Sequence, residues 1–181
     1  MFGKKPAATP SAPPPASRPL GFPVQVLTPD FVIGGYLPPM DTPVTGYLNL
    51  PAQASVTLSK CKLSGLNPQV AVPGDVAEIT IPKANIIAVV PRDEAGVRSA
   101  MLNLPAAAVR ASFYAGPFVI VATARLISEN AFSNFFSAGG GSLFAATDAT
   151  IRSLWPGAKF QELKVSAVFL NRQLIQLYHA L

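Results

Sequence analysis

The chain has 181 residues, half of them hydrophobic and 13% charged, with 19 prolines, one Cys and one His. A soluble domain usually carries about 25% charged residues, so the surface is unusually uncharged. This composition excludes a highly charged disordered chain, a collagen-like repeat, a coiled coil, a disulfide framework and any cysteine-based zinc cluster.

Residues 1–22 hold seven prolines with the one at Pro23, and few large apolar side chains. Proline favours an extended backbone and offers no N–H donor, so this reads as a Pro/Ala-rich arm. Its charge is +3, from Lys4, Lys5 and Arg18, and Met1 and Phe2 supply an apolar tip. These five residues are the arm's candidate partner contacts, since proline-rich segments dock at low ordering cost. The arm has two lysines but no apolar stretch of signal-peptide type. Phe113–Ala124 is the longest strongly apolar run and falls short of the ~20 residues a spanning helix needs. A cytoplasmic chain without a transmembrane segment is the expectation.

From Pro23 the texture changes to short apolar runs punctuated by Pro and Gly. Residues 24–27, 31–37, 54–63, 77–81 and 85–90 read as strands. Between the second and third, Thr42 offers an N-cap and Pro43 a first helical position. Val44, Tyr47 and Leu48 follow with i, i+3, i+4 spacing, which predicts one short helix.

The second half repeats this plan. A shift of 87 residues places Phe31-Val32-Ile33 on Phe118-Val119-Ile120, Val24 on Ala111, Val56 on Leu143, Ile81 on Val168, Ile87 on Leu174 and Val90 on Leu177. A shift of 88 places Thr42 on Asn130, and Val44, Tyr47 and Leu48 on Phe132, Phe135 and Phe136. The chain therefore divides into an arm (1–22), a first β module (23–91), a linker (92–108) and a second β module (109–181). Residues 23–95 hold four basic and six acidic groups; residues 96–181 hold seven basic and three acidic.

FVIGGYLPP, TPVTGYLN, VTLSKCKL and EITIPKANIIAVVP together resemble a family of small uncharacterised bacterial β-domains. The shared features are Leu37-Pro38, Leu48-Asn49, Thr57-Leu58 and Asn85-Ile86-Ile87. The match covers 23–91 and, more faintly, 109–181. The resemblance implies a compact barrel of SH3 or Sm style and brings no activity or site residue with it. The expected fold is mainly β with short helices: a tandem pair of small SH3/Sm-like modules preceded by the Pro-rich arm.

Chemistry-bearing residues are sparse. His179 is the single imidazole, and a nucleophile needs an oriented base beside it. Cys61 alternates with Ser59 and Leu63 on a predicted strand and reads as a buried small hydrophobe. Asp75/Glu78 and Asp93/Glu94 are the close acidic pairs, and both are expected in solvated loops. Gly139-Gly140-Gly141-Ser142 lacks the Lys of a phosphate loop and reads as a helix end and turn. Phe132, Phe135 and Phe136 read as the core face of a helix.

Trp155, in a Trp-Pro-Gly turn, is a candidate anchor for a partner. Arg110, Arg125, Arg152, Lys159, Lys164 and Arg172 are too dispersed for a strong nucleic-acid footprint. No catalytic residue, metal or cofactor is expected. The sequence points to a non-enzymatic assembly subunit that binds other proteins through its low-charge β surface and its arm; the alternative is a nucleic-acid-binding tandem barrel.

Overall fold

A computed structural model describes residues 21–102, 104–126, 142–160 and 162–181. The chain is mainly β. Strands β1 (Phe22–Leu27), β2 (Phe31–Leu37), β3 (Ser55–Gly65), β4 (Asp75–Pro82) and β5 (Ala88–Pro91) come from the first half. Strands β6 (Ala107–Ala115), β7 (Phe118–Leu126), β8 (Leu143–Ser153), β9 (Leu163–Asn171) and β10 (Ile175–Ala180) come from the second. All ten join one antiparallel sheet in the order β10-β6-β7-β8-β9-β5-β1-β2-β3-β4. Each half thus places its fifth strand beside its first, and the halves meet where β5 pairs with β9.

Local chemistry sets the strand ends. Gly21 opens β1 with a φ of +85°, and a Cβ there would stand 1.9 Å from the Leu37 carbonyl oxygen, so only glycine fits. The β1–β2 turn is tied by Thr28, whose Oγ1 accepts from the Phe31 N–H at 3.0 Å. In β7 the sequence FVIVATARL alternates buried and half-buried side chains without a break, the period-2 pattern of a strand with one covered face.

The short helix α1 (Val44–Leu48) lies between β2 and β3 and buries Val44 and Leu48. Pro43, one residue later than the expected Thr42, is its N-cap and makes no side-chain cap bond. The Val44 N–H is satisfied instead by Ser99 Oγ at 2.9 Å, on a second helix, α2 (Glu94–Met101). Helix α2 occupies much of the expected linker. Asp93 caps it by accepting from the Gly96 N–H at 2.8 Å, as an N-terminal carboxylate should. The acidic pairs therefore do not lie in loops: Asp75 and Glu78 are on β4, and Asp93-Glu94 start α2.

Matched by hydrogen-bond register, β1–β5 correspond to β6–β10 down to their irregularities. The β2–β3 ladder slips between Gly34 and Tyr36, and the β7–β8 ladder slips between Val121 and Thr123. The residues that bulge out are Lys60 and Asp148, the two non-glycine residues of positive φ among those described (49° and 52°). A single helical turn precedes both last strands, at Lys83–Asn85 and Arg172–Leu174.

The register corrects the single 87-residue offset. It holds for β1 and β2, becomes 88 for β3 and 89 for β4 and β5, so Val56 matches Phe144 and Ile81 matches Leu170.

The core forms two clusters, and each borrows from the other half. The first-half cluster holds Val26, Leu37, Leu48, Val56 and Leu58, joined by Leu143 and Phe169 from β8 and β9. The second-half cluster holds Phe113, Phe118, Ile120 and Ile151, joined by Leu27, Leu66, Ile87, Ala88 and Val90. Burying a side chain of this size is worth about 1.5–3 kcal/mol. The junction therefore contributes to the stability of both halves.

Candidate interaction surface

Two asparagines hold the halves together. Asn171, 1% exposed, ends β9. Its Nδ2 donates to the Ile86 carbonyl at 2.9 Å and the Lys83 carbonyl at 3.1 Å, while its Oδ1 accepts from the Gln173 N–H at 3.0 Å. Its backbone N–H donates to the Ile87 carbonyl at 2.9 Å. Asn49, the C-cap of α1, clasps the start of β8: its Nδ2 donates to the Leu143 carbonyl at 2.7 Å and its Oδ1 accepts from the Leu143 N–H at 3.0 Å. Neither residue was singled out for this role from the sequence. Asn49 stands in the Leu-Asn motif and Asn171 ends an apolar run, but an asparagine's remote partners leave no local signature.

Among the described residues the sheet ends in two strands that pair on one side only, β4 and β10. Beside β4 lies an apolar groove of about 490 Å³, lined by Phe31, Ile33, Leu63, Val76, Ile79 and Pro82 among others. At the opposite end, β10 is mostly exposed, with Leu177 58% accessible. Leu154 and Trp155 follow β8 at 52% and 42% exposure. The Trp155 N–H donates to Ser153 Oγ at 3.1 Å, which steadies the turn that carries the indole. Among the described residues after β8 and in or after β10, Leu154, Trp155, Leu177 and Leu181 are thus exposed large apolar side chains.

His179 is exposed on β10, its Nε2 3.5 Å from the Tyr114 hydroxyl. Cys61 is 2% exposed and lies in the first-half cluster, its Sγ donating to the Leu58 carbonyl at 3.3 Å. Burial pushes its thiol pKa up, against a smaller lowering by a backbone hydrogen bond near Ile79. Cys61 and His179 are therefore on different strands of different halves, and the structure does not bring them together. Among the described residues no three His, Cys, Asp or Glu side chains cluster as metal ligands would.

The basic residues are spread over β6, β7, β8, β9 and the connections. Arg110 donates to the Asp148 carbonyl, and Arg172 lies over the Phe144 ring at 5.9 Å from its centroid. Glu162 is hydrogen-bonded by Arg152 and lies 3.6 Å from Lys164. The Arg152 hydrogen bond, ahead of the charges of Arg152 and Lys164, holds its carboxyl below the usual carboxylate range. No continuous basic strip results among the described residues.

Met1, Phe2, Lys4, Lys5 and Arg18, together with Phe132, Phe135, Phe136 and Gly139–Gly141, lie outside the described residues. No described helix is long and apolar enough to cross a membrane. Comparison of the chain with family models, with curated proteins and with solved structures gave no match.

Proposed function

We propose that the chain is a non-catalytic, cytoplasmic assembly subunit, made of two SH3/Sm-like five-stranded modules fused through β5 and β9. It binds other proteins through its low-charge β surface, and the Pro-rich arm carrying Met1, Phe2, Lys4, Lys5 and Arg18 acts as a tether. One observation supports the reading: an apolar groove lies beside β4 at one end of the sheet, and the second half exposes Leu177 on β10 at the other end and Leu154 and Trp155 after β8. Interface cores are depleted in charge and rich in aromatic side chains, which is the chemistry of these two ends. A soluble chain gains by covering such patches.

The test uses the full chain as bait, with retention of a stoichiometric protein followed through rising salt. Apolar contacts persist in salt, whereas phosphate contacts weaken steeply. A protein retained at high salt supports the reading. Retention of nucleic acid that washes off with salt overturns it in favour of the tandem-barrel nucleic-acid binder.

A further inference from the structure

The middle of the sheet offers a template for its two ends. At the internal junction, Ala88 and Val89 of β5 face Leu170 and Phe169 of β9, and all four are at most 1% exposed. The matching positions at the open ends are bare. Leu177 of β10 stands where Ala88 stands, opposite Tyr114 as Ala88 is opposite Leu27, and is 58% exposed. Leu154 stands where Leu66 stands: the Leu66 N–H donates to the Asp30 carbonyl at 2.8 Å, and the Leu154 N–H donates to the matching Pro117 carbonyl at 2.7 Å. Leu66 is 1% exposed because it lies in the second-half cluster, whereas Leu154 is 52% exposed.

The groove beside β4 shows the same difference from the other side. Phe118, Ile120, Ile151 and Val168 of the second half are fully buried, under Leu27, Leu66, Ile87, Ala88 and Val90 of the first. Their counterparts Phe31, Leu63 and Ile79 are half-buried and line the groove, with Ile33 at its floor. Among the described residues, no side chains cover this groove as Leu27, Leu66, Ile87, Ala88 and Val90 cover the matching positions of the second half.

We infer that copies of this chain join head to tail, with β10 of one pairing antiparallel with β4 of the next in the register of the internal junction. The inference rests on the reading of the chain as an assembly subunit and names its partner as a second copy. Leu177 then lies opposite Ile81 and Tyr178 opposite Thr80, while Leu154 and Leu177 cover the groove. Charge agrees with this polarity. It sets the first half, with two excess acidic groups, against the second, with four excess basic ones. Pairing β4 with β4 would instead crowd Asp75 and Glu78 of both copies along one edge.

The contact between copies is weaker than the internal one. Pro82 occupies the place of Asn171, so the next copy lacks both its backbone donor and its side-chain clasp. Each contact uses two different edges, so a dimer keeps one free edge of each kind, and growth ends only on ring closure.

The test is sedimentation velocity and native mass spectrometry of the full chain over a range of concentration. The expected species are multiples of the 18.9 kDa monomer, two or more, growing with concentration. Leu177→Lys, on an exposed side chain, weakens association about 10- to 100-fold. Ile79→Lys, in the groove, does the same, with circular dichroism and melting confirming that it folds. Mixing the two variants restores a 1:1 dimer and nothing larger, because each retains the one intact edge the other needs.

A wild type that stays monomeric at every concentration overturns the inference, as does an Ile79→Lys variant that associates normally while Leu177→Lys does not. A monomeric wild type that still retains another protein through high salt overturns self-pairing alone. One that retains nothing overturns the assembly reading as well.

Discussion

Replacing Asn171 by Ala removes three side-chain hydrogen bonds at a site 1% exposed. A neutral hydrogen bond contributes about 0.5–1.5 kcal/mol net, and a buried partner left bare costs more. The Lys83 and Ile86 carbonyls and the Gln173 N–H all lose a partner, so the expected loss is about 2–4 kcal/mol. For a chain of this size each kcal/mol lowers Tm by roughly 2–4 °C, so Tm falls by roughly 5–15 °C.

Urea unfolding followed by circular dichroism measures both midpoint and slope. Because Asn171 ties β9 to the turn before β5, the transition also broadens as the halves uncouple. Asn171→Asp keeps the acceptor for Gln173 but places a carboxylate against two carbonyls. That variant is worse than Ala at neutral pH and recovers as the carboxyl protonates. A loss below about 0.5 kcal/mol for Ala, with an unchanged slope, would refute the clasp, since it is less than one ordinary hydrogen bond.

Four further outcomes are expected. Gly116→Ala costs about 1–2 kcal/mol in urea unfolding, because Gly116 has a φ of +53° and a Cβ there meets Ile87 Cδ1 at 2.8 Å. Cys61 reacts slowly with an aromatic disulfide reagent at mildly alkaline pH and rapidly once urea unfolds the chain, because burial raises its pKa and hides it. Glu162→Gln changes the urea midpoint little at neutral pH and not at all in acid. The native carboxyl titrates below its unfolded value, so what it contributes is present above that value and disappears as pH falls through the lowered one. Deleting residues 1–20 weakens retention of partner while leaving Tm nearly unchanged, as calorimetry and pull-down together would show.

Much of the strand pattern is legible locally. FVIVATARL opens with an aromatic and three β-branched residues, as strands favour, and β7 spans those nine residues. The run IIAVV, apolar at every position, marks a strand covered on both faces, and the β5 residues Ala88–Val90 are fully buried between β1 and β9. Its counterpart IQLYH mixes Gln and His among the apolar residues, and β10 is an edge strand among the described residues.

The constant offset between halves failed for a definite reason. One residue is gained between β2 and β3 and another between β3 and β4. An error of two residues in β4 and β5 still matches apolar with apolar, because it preserves the face of the strand, whereas an error of one in β3 reverses it. Asp75 and Glu78 misled because carboxylates suggest loops, yet they suit an edge strand, where charge is tolerated. The junction itself left no local trace. Asn171 and Lys83 are 88 residues apart, and only the folded sheet brings them together.

That separation also bears on synthesis. At roughly 5–20 residues per second, β9 leaves the ribosome about 4–16 seconds after β5. For that interval the first half has Ile87, Ala88 and Val90 in water and an unpaired β5 edge facing outward. A nascent chain in this state presents the same apolar edge as its neighbours on a polysome, and β5 of one can be taken by β9 of another. The order of emergence therefore makes strand exchange between nascent copies the characteristic folding error of this chain. Slower translation between residues 91 and 163 would make it more frequent, and a chaperone that shields short apolar edges would suppress it.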